Sequence, residues 1–302
     1  MRHCFILNPA AGKKGRALGL EPEIHRYFEA HPGADYAIRV TTAPGDARLF
    51  AREEAEHGEP VRVYACGGDG TLLETAEGLD GFPHAELASV PCGSGNDYVK
   101  TFGELADFLD LPRLIEGSAR TVDAILVDGT TVALNLCSLG LDADVASKMS
   151  DYKNLPLVSG PMAYDLALVY VLAHPIGQRL RLRLTTTEGI VEREGRYLFA
   201  LAANGQYYGG GYHGAPKAVP DDGLLDFVLI QAVSKAKAVS LVGKYKRGEH
   251  LDWEICEFLR GSRMEVSVEQ PTAVNVDGEC EKRTSATFEV LPQRFRFVIP
   301  RT

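Results

Sequence analysis

The sequence has no apolar run long enough to cross a membrane. Its longest, Met162 to Ala173, is interrupted by Asp165 and falls well short of the roughly 20 residues that a spanning helix requires. Near the start only the run Cys4 to Leu7 is apolar, too short for the core of a signal peptide. Positive charge is also in deficit. The 32 Lys and Arg face 41 Asp and Glu, a net charge of −9. That balance argues against a nucleic-acid partner and against standing electrostatic attachment to anionic lipid. The six cysteines (Cys4, Cys66, Cys92, Cys137, Cys256, Cys280) are scattered, with neither a close pair nor metal-ligand spacing. Most of them sit beside apolar residues and read as small core hydrophobes in a reduced, cytoplasmic setting. Internal repeats, low-complexity segments and Pro-rich linkers are missing too, as is the Gly-Lys-Ser/Thr of a Walker loop.

What is present is a change of rhythm along a chain of 302 residues, longer than one comfortable core. Cys4 to Leu7, Ala37 to Thr41, Val61 to Cys66 and Leu87 to Val90 read as buried strands. Ala47, Phe50, Ala51 and Ala55 recur at helical spacing between the second and third. Alternating strands and helices imply a parallel sheet with right-handed crossovers. After about residue 121 come strand-like runs at Val122–Val127, Val132–Leu136, Leu180–Leu184, Tyr197–Ala203, Leu225–Ile230 and Met264–Val268. Turn signals such as Asp128-Gly129, Glu188-Gly189, Asn204-Gly205 and Asp222-Gly223 separate them. The expectation is an α/β N-terminal domain over residues 1–121 and a mostly antiparallel β-sandwich over 122–287. One helical insertion is expected near Met162 to Ala173. A last strand, Arg294 to Ile299 within a segment of about 288–302, could return to either domain.

The strongest local signal is Cys66-Gly67-Gly68-Asp69-Gly70-Thr71, between a strand and a helical pattern of Leu72, Leu73, Ala76 and Leu79. Ligands bind α/β sheets at such positions. Glycines let the backbone approach a phosphate chain, and amides at a helix start supply a positive end. A carboxylate among phosphates would repel them unless a cation lies between, so Asp69 implies Mg²⁺. The bland alternative is a plain strand-to-helix turn, which needs fewer glycines. Pro91-Cys92-Gly93-Ser94-Gly95-Asn96-Asp97 repeats the logic, with Asn96 as an ordinary cap the competing reading. Asn8-Pro9-Ala10-Ala11-Gly12-Lys13-Lys14-Gly15 follows the first strand, its lysines placed for phosphate or for solvent. Farther on, Asp221-Asp222-Gly223-Leu224-Leu225-Asp226 reads as a turn or an oxygen-ligand cation site. Asp277-Gly278-Glu279 reads as a hairpin turn or a delivered general base.

These motifs, in this order and over nearly the whole chain, resemble the diacylglycerol kinase catalytic-domain family, which includes bacterial lipid kinases and sphingosine kinases. Asn8 to Gly12 is similar to its Asn-Pro-x-x-Gly loop, and Thr41 before Gly45-Asp46-Ala47 to its second motif. Gly67 to Thr71 matches its GGDGT loop. Gly93 to Asp97 matches its Gly-Thr-x-Asn-Asp loop, with Ser94 where Thr is commoner. The resemblance implies an ATP- and Mg²⁺-dependent kinase acting on a lipid hydroxyl, diacylglycerol above others. It implies ATP contacts from Asn8, Pro9, Gly12, Thr41, Gly67, Gly68, Asp69, Gly70, Thr71, Leu72, Leu73, Gly93, Ser94 and Asn96. Asp69 and Asp97 would organise the catalytic Mg²⁺, and Glu279 would act as base. A structural cation would be held by Asp222 with the carbonyls of Val219 and Leu224.

Two departures stand out: Leu73-Glu74 where the family often has Asn-Glu, and Tyr212-His213 after Gly209-Gly210-Gly211 where relatives carry an apolar residue. Gly-Gly-Asp-Gly-Thr-Leu-Leu is also found in NAD kinases, so an NAD kinase is the enzyme alternative. A non-catalytic nucleotide-binding module is the other. Such an enzyme would work in the cytoplasm and touch the inner face of the membrane transiently, and a homodimer stays open. His174 and His213 are candidate general bases, with a structural role at a helix end the competing reading for His174 and substrate contact an alternative for His213. Arg179, Arg181 and Arg183, alternating with Leu180, Leu182 and Leu184, read as a solvated face or an anionic-lipid dock, with Lys244, Lys246 and Arg247 as additions.

Overall fold

The computed structural model describes residues 1–12, 15–153 and 160–302. It divides into two compact units, Met1–Val122 with Gln293–Thr302, and Asp123–Pro292. Lys13 and Lys14 lie outside the described residues.

The first unit runs β1 (Arg2–Leu7), α1 (Glu21–Ala30), β2 (Tyr36–Val40), α2 (Asp46–Glu56), β3 (Val61–Gly67), α3 (Asp69–Leu79) and β4 (Ala85–Pro91). Two short helices follow, α4 (Leu105–Leu109) and α5 (Leu111–Ile115). The strands stand in the order β4-β3-β1-β2, all parallel. Every residue of β3 and β4 is buried, as expected of a parallel sheet covered on both faces. The register aligns Leu7 with Val40 and with Cys66, and Cys66 with Val90. The four strands therefore end together, and the loops that follow them emerge at one edge of the sheet.

In the second unit β5 (Ser118–Val127, which straddles the boundary) forms a hairpin with β6 (Thr131–Ala133). Then come β7 (Leu136–Gly140), the helices α6 (Leu141–Lys153) and α7 (Gly160–Ala173), β8 (Gln178–Thr186), β9 (Gly189–Ala203), β10 (Leu225–Gln231), α8 (Lys235–Lys246), β11 (Cys256–Val276) and β12 (Glu279–Ile299). Pairing is antiparallel throughout, with β9 and β11 each exchanging partners along their length. Leu180, Leu182, Leu184, Phe227, Met264 and Phe288 fill one apolar core of this unit. A second core packs Val145, Leu168, Phe199, Tyr208, Tyr212 and Tyr245 around α6, α7 and α8.

The helix expected near Met162 is α7. The helices α6 and α8 went unread because their apolar stripes are weak and broken by Asp142, Asp144, Lys148 and Gly243. The run Val132 to Leu136 is two strands, interrupted at Leu134-Asn135.

The end of β12 returns to the first unit, where Phe297 pairs in parallel with Leu87 of β4. Phe297 is fully buried against the rings of Tyr98 and Phe102, at 5.2 and 4.8 Å between centroids. Beside it, buried Glu86 binds Arg62 at 2.7 Å and Arg296 at 2.7 Å, while Arg62 also donates to the carbonyl of Ile115 at 2.8 Å. Glu86 thus ties β4 to β3, to the returning strand and, through Arg62, to α5. Removing one partner of a buried pair strands the other charge, so Glu86→Ala is expected to destabilise the protein by about 3–5 kcal/mol. Replacing Arg62 and Glu86 together with apolar residues of similar volume is expected to cost much less. Denaturant unfolding of both variants tests this, and equal losses would refute the role of the stranded guanidinium.

Candidate active site

Three of the loops at the parallel sheet's edge touch one another. The backbone amides of Cys92 and Gly93 donate to the carbonyl of Gly67 at 2.8 and 3.0 Å, locking the loop after β4 onto the loop after β3. A Cβ on Gly93 would come within 2.4 Å of the Gly68 Cα, and one on Gly12 within 2.2 Å of the Cys92 carbonyl oxygen. Only glycine permits so close an approach. Asn8 closes the cluster from the third side, donating from Nδ2 to Thr71 Oγ1 at 2.8 Å while its Oδ1 accepts from the Ala10 amide. The Gly70 Cα, by contrast, faces open space.

Asp69 starts α3 and reaches across this cluster. Its Oδ1 accepts from the Asp97 amide at 2.7 Å, so the two acidic residues, 28 positions apart, are held together through the backbone. Both carboxylates flank Gly95. A Cβ there would lie 2.9 Å from Asp69 Oδ2 and 3.4 Å from Asp97 Oδ2. Lys100 donates to Asp97 Oδ1 at 2.5 Å. Burial, then repulsion from Asp97, pushes the Asp69 carboxyl up to about 6. Two crowded hard-oxygen donors whose mutual repulsion one lysine only partly relieves suit a small dication such as Mg²⁺.

The other predicted nucleotide residues divide. Gly12, Gly67, Gly68 and Gly93 form the cluster itself, and Ser94 is exposed beside it. Thr41 is buried at the end of β2, donating its amide to Leu7 O at 2.9 Å. Leu72 and Leu73 are buried in the core, leaving only their backbones for a ligand. Asn96 adopts a positive φ of 51° and bonds the backbone of its own loop at both ends of its amide, so it shapes the loop.

In the second unit Asp277 and Glu279 have separate duties. The Asp277 carboxylate accepts from the amides of Leu134, Asn135 and Leu136 at 2.6–3.2 Å, pinning the β6–β7 connection to the β11–β12 turn. Glu279 is exposed at the first position of β12. Asp222, the carboxylate of the implied structural cation site, lies at the turn before β10. Its carboxylate is paired with the Arg260 guanidinium, which it shares with Asp226, and accepts from the Leu224 amide at 3.0 Å. Among the described residues no group of three or more His, Cys, Asp or Glu side chains converges for a metal. A structural cation at this carboxylate would have to displace Arg260 from it.

The arginine stripe of β8 is neutralised. Arg179 and Arg181 pair with Glu194, and Arg183 with Glu265 at 3.0 Å. As an anionic-lipid dock the stripe is thus weak, because its charge is already spent within the sheet. His174 bonds the Tyr170 carbonyl at the end of α7, and His213 stacks on Tyr207 at 4.3 Å; both are structural contacts.

A narrow cavity of about 60 Å³ lies among α6, α7, α8 and the outer face of the sheet. Leu168, Leu198, Phe199, Ile230, Val242 and Trp253 give it an apolar wall, with Asp142, Tyr208 and Tyr245 as its polar points. The Gly209, Gly210 and Gly211 loop, all at positive φ, folds Tyr208 against Tyr212, whose amides and carbonyls bond each other at 2.8 and 2.9 Å. Sequence reasoning linked this loop to an acceptor pocket but missed Tyr245, Asp142 and the helices, since no local motif marks them.

Two family models match the chain. That of the diacylglycerol kinase catalytic domain covers residues 2–127, and that of the YegS C-terminal NAD kinase beta sandwich-like domain covers residues 135–299. A protein of Pseudomonas aeruginosa named "Probable lipid kinase YegS-like" is 30% identical over 269 residues, 89% of this chain and 86% of its own. The diacylglycerol kinase of Bacillus subtilis is 27% identical over 309 residues, covering 98% and 96%. In fold, the chain is similar to a crystal structure of a diacylglycerol kinase from Bacillus anthracis, with a TM-score of 0.72 at 21% identity over 98% of this chain and 96% of that one. Fold and loops together define a two-domain kinase. The chain belongs to the diacylglycerol kinase family, among the YegS-like lipid kinases.

The strained Asp69–Asp97 pair has a measurable signature. Folded Asp69 keeps its proton up to about 6, whereas an ordinary Asp loses it near 3.8. Between those values the folded state binds more protons, so stability falls as pH rises through the window and the penalty persists above it. Without divalent cation, Asp69→Asn is therefore expected to melt higher than wild type at pH 8, with the gap closing towards pH 4. Thermal melts in chelator across that range test the assignment, and a gap independent of pH would overturn it.

Proposed function

We propose that this lipid kinase transfers the γ-phosphate of ATP to the hydroxyl of a membrane lipid, with diacylglycerol the first candidate. The observation that carries the reading is the glycine cluster at the parallel sheet's edge with Asp69 and Asp97 side by side within it. The backbone around Gly12, Gly67, Gly68 and Gly93, with Asn8, Thr71 and the N-terminus of α3, would line the phosphate chain. Bound at Asp69 and Asp97, Mg²⁺ would neutralise charge on the phosphates. Lys100 would hold Asp97 in place. Glu279 would take the acceptor's proton as its oxygen forms the new bond to the γ-phosphorus and the bond to the β–γ bridging oxygen breaks, releasing ADP.

The apolar cavity of the second unit supports a lipid acceptor. At about 60 Å³ it holds only the start of an acyl chain, so a long chain requires the helices around it to part. On the same helix α7 whose Leu168 lines the cavity, Met162, Leu166, Val169 and Tyr170 are exposed at spacings of one helical face, Val169 by 69%. Exposed Lys235 and Lys237 begin α8, and the Lys235 ammonium donates to Ala173 O at the end of α7. This apolar ridge with cations at its end suits transient contact with the inner face of a membrane better than the neutralised β8 stripe does.

A kinase assay on diacylglycerol, monoacylglycerol, sphingoid bases and NAD in mixed micelles tests the acceptor class. Phosphorylation of NAD with every lipid inert would end the lipid reading. In that assay Glu279→Gln, which keeps the shape but removes the base, is expected to lower turnover by roughly 10²–10⁴ with ATP affinity nearly intact. Wild-type turnover would remove Glu279 from the chemistry.

Charging the ridge tests the surface. Leu166→Glu with Val169→Glu is expected to weaken sedimentation with anionic vesicles by at least about tenfold, since each side chain contributes roughly 1.5–3 kcal/mol when buried. Activity on a short-chain, water-soluble acceptor is expected to stay. Equal losses on both acceptors would point to damage elsewhere.

A further inference from the structure

A buried chain of hydrogen bonds runs from the wall of the apolar cavity to the turn that carries Glu279. Gly278, within that turn, donates its amide to Asn275 Oδ1 at 2.8 Å. Asn275 donates from Nδ2 to Ser138 Oγ at 3.3 Å, across directly paired positions of β11 and β7. Ser138 donates its only hydroxyl proton to Asp142 Oδ2 at 2.5 Å, and Asp142 lines the cavity at the start of α6. Ser138, Asp142 and Asn275 are all at least 96% buried.

The direction of every link can be followed from the Asp142 end. The single Ser138 hydroxyl proton is donated to Asp142 Oδ2. Ser138 Oγ is then left to accept, which turns the Asn275 amide group towards it and the Asn275 carbonyl oxygen towards the turn. That oxygen is what the Gly278 amide finds. Low dielectric strengthens such a chain when every member is satisfied. The turn is held from its other side by Asp277, which collects the amides of Leu134, Asn135 and Leu136 at the entry to β7, the strand of Ser138. Among the described residues the Glu279 side chain has no hydrogen bond or ion pair, so its placement depends on the turn beneath it.

We propose that Ser138, Asp142 and Asn275 are positioning residues that fix the Glu279 turn and couple it to the seating of an acceptor's acyl chain against the cavity wall. The inference rests on the lipid kinase reading and on Glu279 as its base. With the relay intact, a chain packed in the cavity meets the Asp142 end while the acceptor hydroxyl meets the Glu279 end. Long-chain acceptors then gain in turnover as well as in binding.

The test measures kcat and KM on a long-chain and a short-chain diacylglycerol for wild type, Ser138→Ala, Ser138→Thr and Asn275→Asp. Ser138→Ala removes the hydroxyl. Asn275→Asp keeps an acceptor for Gly278 but cannot donate to Ser138, so it cuts only the middle link. Both are expected to lower kcat on the long-chain acceptor by about tenfold to a hundredfold, the effect of a small misplacement of a reacting group. KM for ATP should stay unchanged, and the long-chain advantage in kcat should vanish. Ser138→Thr, which restores the hydroxyl, is expected to recover most of the loss. If Ser138→Ala proves unstable, Asn275→Asp decides. Full long-chain kcat in either folded cut variant, with Glu279→Gln inactive, overturns the relay and leaves the base standing. Full activity of Glu279→Gln would instead remove the reading on which the relay rests.

Discussion

Everything at the edge of the parallel sheet depends on how close three backbones come. Parallel register ends β1, β3 and β4 at the same level, and the amides of Cys92 and Gly93 then share the Gly67 carbonyl. That bond is feasible only because Gly68 and Gly93 carry no side chains to collide. Once the two loops are joined, the Asp97 amide falls within reach of Asp69, and two carboxylates meet in a partly buried place they would otherwise avoid. The acidic pair follows from the glycine contact. A single methyl group on Gly93 would push the loops apart before it touched any ligand.

The second unit solves a different problem with different means. Its turns are held by side chains acting on backbone, with Asp277 collecting three consecutive amides and Asp123 accepting from the Gly223 amide at 2.7 Å. Arg260 pairs with both Asp222 and Asp226, and burial pushes the Asp226 carboxyl up to about 6. These contacts fix the turns through side chains rather than through glycine alone.

The legible parts of the sequence were those with a local cause. Strand runs, the Gly67–Thr71 loop and the Asp-Gly turns each declare themselves within a few residues, because φ preference and apolar period act locally. The parallel first sheet followed from alternation alone. Illegible were features that arise only once distant segments meet. Arg260 facing Asp222 is a partnership between β11 and a turn 38 residues away, and it changes the cation site that the Asp222 motif implied. The glutamates that neutralise the β8 arginines come from β9 and β11, so no inspection of Arg179 to Arg183 could find them. Ser138, Asp142 and Asn275 look unremarkable singly, and only pairing of β7 with β11 makes them a chain.

The helix α7 carries this contrast furthest. An amphipathic helix hides one face and wets the other, but α7 is apolar nearly all round and leaves Leu166 and Val169 in water. Such side chains add nothing to the unit's own core, and polar residues would serve solubility better. Buried Ala163, Ala167, Leu168 and Val171 already hold the helix to its unit. The exposed ridge is therefore surplus to folding, and its energy is recoverable only against something equally apolar. In the proposed reaction that partner is the bilayer from which the acceptor comes. On that proposal, the part of the molecule least explained by its own packing is best explained by the bilayer that would hold the acceptor.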